Sequence, residues 1–261
     1  MKDYSFIIGL MEWSYSRIAL YRTCGYAWFC QYILHEDRNT NFFSEYGTFF
    51  HDLQAQFYKG ELTKDQMFFE YITKFDSNVV SRVNAKTFDS MREKYYSAGL
   101  DYVQNFTPFK FKKLIGVEKK IEFEIGGYRV VGYIDLSGFL EDDDIEIIDH
   151  KSKDLKPRSK RKIPTKTDEE LDMYFIQLYL YSIAIFNEFG KYPKWLTFNC
   201  FRSGVVIREL FNMEKLEEAK DWAIRTIKRI ENETKWNPNI DYYFCHNLCN
   251  CRDTCEYIET T

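Results

Sequence analysis

The sequence predicts one α/β domain with a helical insertion. Three observations predict it. Strand-like segments with turn signals fill residues 116–151, helical hydrophobic spacing flanks them on both sides, and a second strand pair follows a long apolar helix. No stretch reads as a linker, so a single domain over 1–261 is expected.

In chain order, residues 14–34 (SYSRIALYRTCGYAWFCQYIL) read as a helix capped by Ser14 or Ser16, broken near Gly25 and resumed. Tyr46 to Tyr58 reads as another helix with His51 in its first turns. Between Lys64 and Phe106, Met67, Phe68, Tyr71 and Phe75 recur at helical spacing. Two or three helices are expected there, an insertion over about 59–110. Next, GVEKKIEFEI, Gly126-Gly127 and YRVVGYIDLSGF read as two strands around a tight turn. The acidic turn Glu141 to Asp144 leads into a third strand, IEIIDHK. Lys151 to Lys166 is a basic loop with eight Lys/Arg against one acid, Asp154. Leu171 to Phe189 is apolar nearly all round, a buried helix. WLTFNCF and VVIREL form a further strand pair, and Leu216, Ala219, Ala223, Ile227 and Ile230 mark an amphipathic helix. The tail over 241–257 holds four cysteines in eleven residues.

Composition narrows the function. With 45% hydrophobic and 29% charged residues in 261, global disorder and a disulfide-stapled miniprotein are excluded. A net charge of −4 excludes a wholly basic nucleic-acid coat but not a local basic patch. The longest charge-free apolar stretch, Met173 to Phe186, is shorter than the roughly 18–20 residues of a membrane span, so no membrane partner is expected. The N-terminus lacks a small-residue cleavage site. Seven cysteines without a secretory signal point to a reducing, cytoplasmic compartment, where clustered cysteines more often bind metal than pair. Aromatics at 18% imply a core of large rings, with others free to stack on bases.

The chemistry concentrates around the third strand. Asp149 and Lys151 stand two apart on it, so both leave the same face. Asp135 lies near the end of the preceding strand. Adjacent strands are about 4.8 Å apart, which lets the two aspartates share one divalent cation, and hard oxygen ligands suit Mg²⁺ or Mn²⁺. Lys151 beside it would orient the attacking water and stabilise transition-state charge. His51, from a separate helix, would add an imidazole and tilt the preference toward Mn²⁺. An Asp-x-Lys pair on a strand is usually a solvated face. Here the strand is otherwise apolar (Ile145, Ile147, Ile148), and charges ending a buried strand need partners.

These residues carry a resemblance. GYRVVGYIDLSGF followed by IEIIDHKSK is similar to the core of the PD-(D/E)XK nuclease superfamily. More narrowly it resembles the RecB-like exonuclease clade, which includes the RecB and AddB nuclease domains and CRISPR-associated exonucleases with an iron–sulfur cluster. SYSRIALYRTCGYAWFCQYI is similar to the clade's Ser-x-Ser helix with its cysteine, YGTFFHDL to its Gly-x-x-x-His motif, and QLYLYS to its Gln-x-x-x-Tyr motif. The resemblance spans Ser14 to Cys255 and implies a restriction-endonuclease-like core, a central mixed sheet flanked by helices. It also implies roles. His51, Asp135, Asp149 and the backbone carbonyl of His150 hold the metal, and Lys151 is the catalytic lysine. Gln177 and Tyr181, on one helix face, contact the DNA backbone or position the lysine. Glu118 either supports the site or is a plain surface residue. Ile134 stands where the motif's nominal proline belongs, and the second acid is Asp rather than Glu. The His150 side chain is expected to face away from the metal as packing.

Cys245, Cys249, Cys251 and Cys255 are spaced x3, x1, x3, unlike the CxxC…CxxC zinc pattern. The resemblance implies a [4Fe–4S] cluster on one N-terminal and three C-terminal cysteines. The set chosen is Cys24, Cys245, Cys249 and Cys255, with Cys251 a competitor because His246 occupies the usual place of the first C-terminal ligand. Such a cluster would staple the termini. Cys30 and Cys200 read as buried small hydrophobes.

The expected function is a Mg²⁺- or Mn²⁺-dependent DNA nuclease, an exonuclease on single strands or ends. By family analogy it serves phage or mobile-element recombination, repair or CRISPR adaptation. The basic loop would hold phosphates. Tyr26, Trp28 and Phe29 would stack on bases or, the favoured reading, pack in the core. Without a Walker loop, unwinding would fall to a helicase or recombination partner. A non-catalytic DNA-end-binding or assembly protein, or a cluster-bearing redox sensor, leaves Asp135, Asp149 and Lys151 unexplained. The resemblance, which includes ring-forming relatives, allows an oligomer, and no segment of the sequence marks an interface.

Overall fold

The chain opens with short helices: α1 (Ser5–Gly9), α2 (Tyr15–Thr23) and α3 (Gly25–Phe29), then a π-helical turn (Cys30–Leu34). The computed structural model describes residues 4–36, 40–83 and 88–258. Ser14 caps α2 by accepting the Arg17 N–H. The break falls at Cys24, one residue before Gly25, because Cys24 is extended and its Sγ caps α3. Helix α4 (Phe42–Tyr58) starts earlier than the expected Tyr46. Asn41 and Ser44 form a reciprocal capping box, and His51 falls in the third turn. The insertion holds two helices, α5 (Lys64–Asn78) and α6 (Phe88–Gln104), and residues 84–87 between them lie outside the described residues.

Five strands follow in one sheet, ordered as in the chain: β1 (Lys113–Ile125), β2 (Tyr128–Phe139), β3 (Ile145–Lys151), β4 (Trp195–Cys200) and β5 (Val205–Leu210). The β1–β2 turn uses Gly126 and Gly127 at φ +55° and +86°, which suits a two-residue hairpin. Only β3 and β4 run parallel. A parallel pair needs a crossover, and α7 (Lys166–Phe189) supplies it. Thr165 and Asp168 cap α7, which therefore begins before the expected Leu171. Helix α8 (Met213–Glu231) buries all five residues of its expected apolar stripe.

Among the described residues, two large apolar cores and one small cysteine-lined cluster result. The first lies between the sheet and helices α2, α7 and α8, around Ile134, Ile147, Phe175 and Phe198. The second joins α4, α5 and α6 through packed rings, with Phe50 tilted against Tyr71 and stacked on Phe201. The mixed α/β architecture is the one the sequence predicted.

Candidate active site where the sheet splits

Strands β2 and β3 pair from Phe139↔Ile145 to Leu136↔Ile148. Beyond that, β2 stays with β1 and β3 stays with β4. One step past the last pair come Asp135 and Asp149, opposed across the opening. Asp135 thus lies mid-strand rather than near the end of β2, and it is the pairing that ends there. The split deprives the His150 backbone of a β2 partner, and side chains replace it. Asp135 Oδ2 accepts the His150 N–H at 2.7 Å, and His51 Nε2 donates to the His150 carbonyl at 2.9 Å. Buried backbone groups left unpaired would be costly, so these two side chains stabilise the opening.

Glu118 completes this side. It falls opposite Asp135 in the β1–β2 register, with a left-handed backbone at φ +49°. That conformation costs roughly 1–2 kcal/mol for a non-glycine residue. Its Oε1 and Asp135 Oδ2 each lie 3.5 Å from His51 Nδ1. Ligand atoms of His51, Glu118 and Asp135 all stand within 4.8 Å of one another.

Lys151 occupies the other side. Its Nζ is 2.8 Å from Asp149 Oδ2 and donates to Gln177 Oε1 at 3.0 Å. Gln177 Nε2 in turn donates to Tyr181 Oη at 3.4 Å, one turn along α7. The Tyr181 ring presses on the β2 backbone at Gly132, where a Cβ would come within 2.7 Å of it. The sequence reading passed over Gly132, although a glycine inside a strand pattern marks close approach. It also passed over Asn199. The Asn199 Nδ2 lies 2.9 Å from His150 Nδ1, 2.7 Å from Tyr102 Oη and 3.1 Å from Gln54 Oε1. A buried Asn in an apolar strand was the available signal. The His150 ring sits in this knot, its centre 5.9 Å from that of His51.

The charges are mutually tuned. Burial and the Asp149 charge push Asp135 up to about 7, with His51 and the His150 N–H opposing. Burial pulls His51 down, but its hydrogen bond with Glu118 and the Asp135 charge carry it up to about 9. Burial likewise opposes the charge on Lys151, yet Asp149 prevails and the shift is upward. His150, fully enclosed, is held well below the usual histidine range by burial and then by His51 and Lys151, so it stays neutral. Asp149 Oδ2 is buried with no hydrogen-bond donor aligned on it; the Lys151 contact is one of charge. A donorless carboxylate oxygen beside a second acid driven toward protonation fits a hard cation. The donor set of carboxylates, imidazole and a carbonyl suits Mg²⁺ or Mn²⁺.

A second cluster lies at the termini. Cys24, Cys245, Cys249 and Cys255 line one small pocket with Tyr26, Phe244 and Tyr257. Cys24 Sγ accepts the N–H groups of Ala27 and Asn239, each at 3.4 Å. Cys251 lines the same pocket, its Sγ lies 3.9 Å from the Ala27 carbonyl, and its ligand atom groups with those of Cys30 and Glu36. Cys30 and Cys200 are fully buried. Trp28 and Phe29 stack on Trp236 and Tyr26 meets Tyr257 edge-on, so these rings pack within the fold. The basic loop is partly neutralised: Lys153 pairs with Glu170, Lys156 with Asp154, and Arg158 with Asp172 and Glu209. Lys160, Arg161 and Lys162 are exposed, with no ion pair among the described residues.

The sequence matches the family model of the PD-(D/E)XK nuclease superfamily over residues 12–256. The chain belongs to that superfamily, whose members generally use divalent metals and whose fold implies DNA as substrate. A crystal structure from Eubacterium rectale, described as a "putative exonuclease", is similar in fold at a TM-score of 0.50 and 13% identity, over 93% of this chain and 87% of that one. No curated protein sequence matches. Among the described residues, no helix is long and apolar enough to cross a membrane.

Proposed function

We propose that the whole chain acts as one Mg²⁺- or Mn²⁺-dependent deoxyribonuclease, an exonuclease on single-stranded DNA or DNA ends. The observation that supports this most is the split in the sheet, with Asp135 and Asp149 opposed and Lys151 Nζ 2.8 Å from Asp149. His51, Asp135, Asp149 and the His150 carbonyl would hold the ion, with Glu118 beside them. When bound, the ion supplies Lewis-acid stabilisation of the phosphodiester and activates water. The chain's residues do the rest. Lys151, kept cationic by Asp149, stands where negative charge grows in the transition state. Gln177, braced by Tyr181 against Gly132, fixes the reach of that ammonium group. Asp135 and His51 grip the His150 backbone and keep its carbonyl turned toward the carboxylates. Lys160, Arg161 and Lys162 hold the DNA backbone.

The cysteine pocket supports a RecB-like placement. Cys24, Cys245, Cys249 and Cys255 would hold a [4Fe–4S] cluster of structural role, with Cys251, in the same pocket, the competing ligand. On the same analogy the protein works in the cytoplasm beside a helicase or recombination partner, in recombination, repair or CRISPR adaptation.

The test incubates end-labelled single-stranded and duplex DNA with Mn²⁺ or Mg²⁺, using wild type and Lys151→Ala. Cleavage is expected to fall roughly 10³-fold in the variant. Binding without cleavage in the wild type overturns the enzyme and leaves a DNA-end-binding protein.

A further inference from the structure

Two concavities lie side by side along α2 and α8, the first also bordered by α7. The first, about 450 Å³, is walled by Tyr15, Ala19, Arg22, Met173, Tyr174 and Trp222. The second, also about 450 Å³, is walled by Tyr21, Arg22, Trp222, Arg229, Lys235 and Asn237. They share Arg22 and Trp222. The near end opens at Tyr174, whose ring centre is 5.9 Å from Lys151 Nζ. We infer that this groove is the track along which a single strand of DNA runs to or from the Lys151 cleft. The identity of the occupant rests on the nuclease reading; the groove itself rests on three separate observations.

The first is a row of rings leading outward from Lys151. Tyr174, Tyr15 and Trp222 are all half-buried, neither enclosed in the core nor free in solvent. Tyr15 and Trp222 lie 6.0 Å apart at 40°, and Tyr15 is fixed by donating its hydroxyl to the Met173 carbonyl at 2.8 Å. Such rings are stacking platforms for unpaired bases, each worth roughly 1–3 kcal/mol. A duplex keeps its bases inside and would present only phosphates to them.

The second is charge. Arg22, Arg229 and Lys235 are exposed, and among the described residues none pairs with a carboxylate within ion-pair distance. Arg22 instead reaches the Met173 sulfur at 2.6 Å, and Arg229 lies 5.9 Å from the Tyr21 ring centre. In a chain of net charge −4, with part of the basic loop paired to acids, three cations without an ion pair along one groove, Arg229 alone lying in the field of Glu233, are a local phosphate-binding line.

The third is that the groove's own acids are engaged. Glu233 accepts from Tyr21 Oη at 2.5 Å and from the Thr234 and Lys235 N–H groups at 3.0 Å, while Glu170 is paired with Lys153. Neither faces an incoming phosphate as a bare carboxylate.

The experiment measures binding of a labelled oligothymidylate of about 20 nucleotides in a chelator, without turnover, across a salt series. For Arg22→Glu/Arg229→Glu/Lys235→Glu, Kd is expected to rise tenfold or more, roughly, and the log–log salt slope to become shallower by about 2, at about 0.7 per phosphate contact. Lys64→Glu/Lys94→Glu, on the helical insertion, serves as the control for charge alone and should change neither. Unchanged affinity and slope in the triple variant would overturn the track, as would an equal loss on a blunt duplex. A second readout uses only the wild type: bromodeoxyuridine-substituted strands are photocrosslinked and the adducts mapped. Adducts at Tyr15, Tyr174 or Trp222 are expected, and adducts confined to residues 160–166 would refute the groove. These readouts need no cleavage, so the track can fail while Lys151→Ala still abolishes hydrolysis, and the reverse outcome is equally readable.

Discussion

The Lys151 cleft and the cysteine pocket both gather residues distant in sequence, by opposite means. The cleft takes its groups from three strands and two long helices, and His51, Glu118, Asp135 and Lys151 each meet a partner from another element. The cysteine pocket is built on a helix cap at Cys24 and a tail whose regular structure is one π-helical turn (Phe244–Leu248). A sheet can position charges whether or not they react, because its own hydrogen bonds hold it. A tail with so little backbone pairing depends on what its side chains grip. Changes in the cleft should therefore move activity more than stability, and changes in the pocket the reverse.

The largest expected effect tests the first half of that contrast. Asp149→Asn should lower cleavage roughly 10³-fold, while near-ultraviolet circular dichroism keeps its native shape. A collapse of that signal would make the cleft as structural as the pocket. Next comes the second half. Cys24→Ala should bleach the visible absorption of anaerobically prepared protein and expose amides of residues 241–257 to hydrogen exchange. Colourless, fully protected wild type would erase the difference between the two regions. Gly132→Val should then push on the Tyr181 ring, cost about 1–3 kcal/mol by overpacking and reduce cleavage through Gln177 and Lys151. Urea denaturation beside a cleavage assay separates the two effects. Glu118→Gly sharpens the comparison differently. It should relieve the left-handed backbone by about 1 kcal/mol while weakening Mn²⁺ binding in calorimetry, so stability and function move in opposite directions.

The smallest effect lies outside both regions. Asp168 accepts from the N–H and hydroxyl groups of Ser159 and Thr165, which hold its carboxyl well below the usual range. A depressed folded value means this stabilisation is complete above the unfolded pKa of about 3.9 and fades as pH falls through the folded value. The urea midpoints of wild type and Asp168→Asn should thus differ near neutrality and converge in strong acid.

Much of this was readable in residue order. Period two placed Asp149 and Lys151 together, a Gly-Gly turn registered the hairpin, and the four-residue spacing of Gln177 and Tyr181 put them on one helix face. What escaped was set by tertiary contact. Where β2 and β3 part company has no local signature, and neither has the left-handed Glu118. A count of the basic loop's cations could not show that Glu170 and Asp172 fold back from the start of α7, and Glu209 from β5, to neutralise them. The Asn41–Ser44 cap was local and legible, but an apolar reading of the helix started too late to use it.

The Asn199 knot has one more implication. Tyr102 belongs to α6 and Gln54 to α4, yet both close on the strand residue beside His150. The insertion is thereby geared to the floor of the split. A displacement of α6 would reach the His150 ring through Tyr102 and Asn199, so the helices and the strand beside the cleft are expected to stiffen or loosen together.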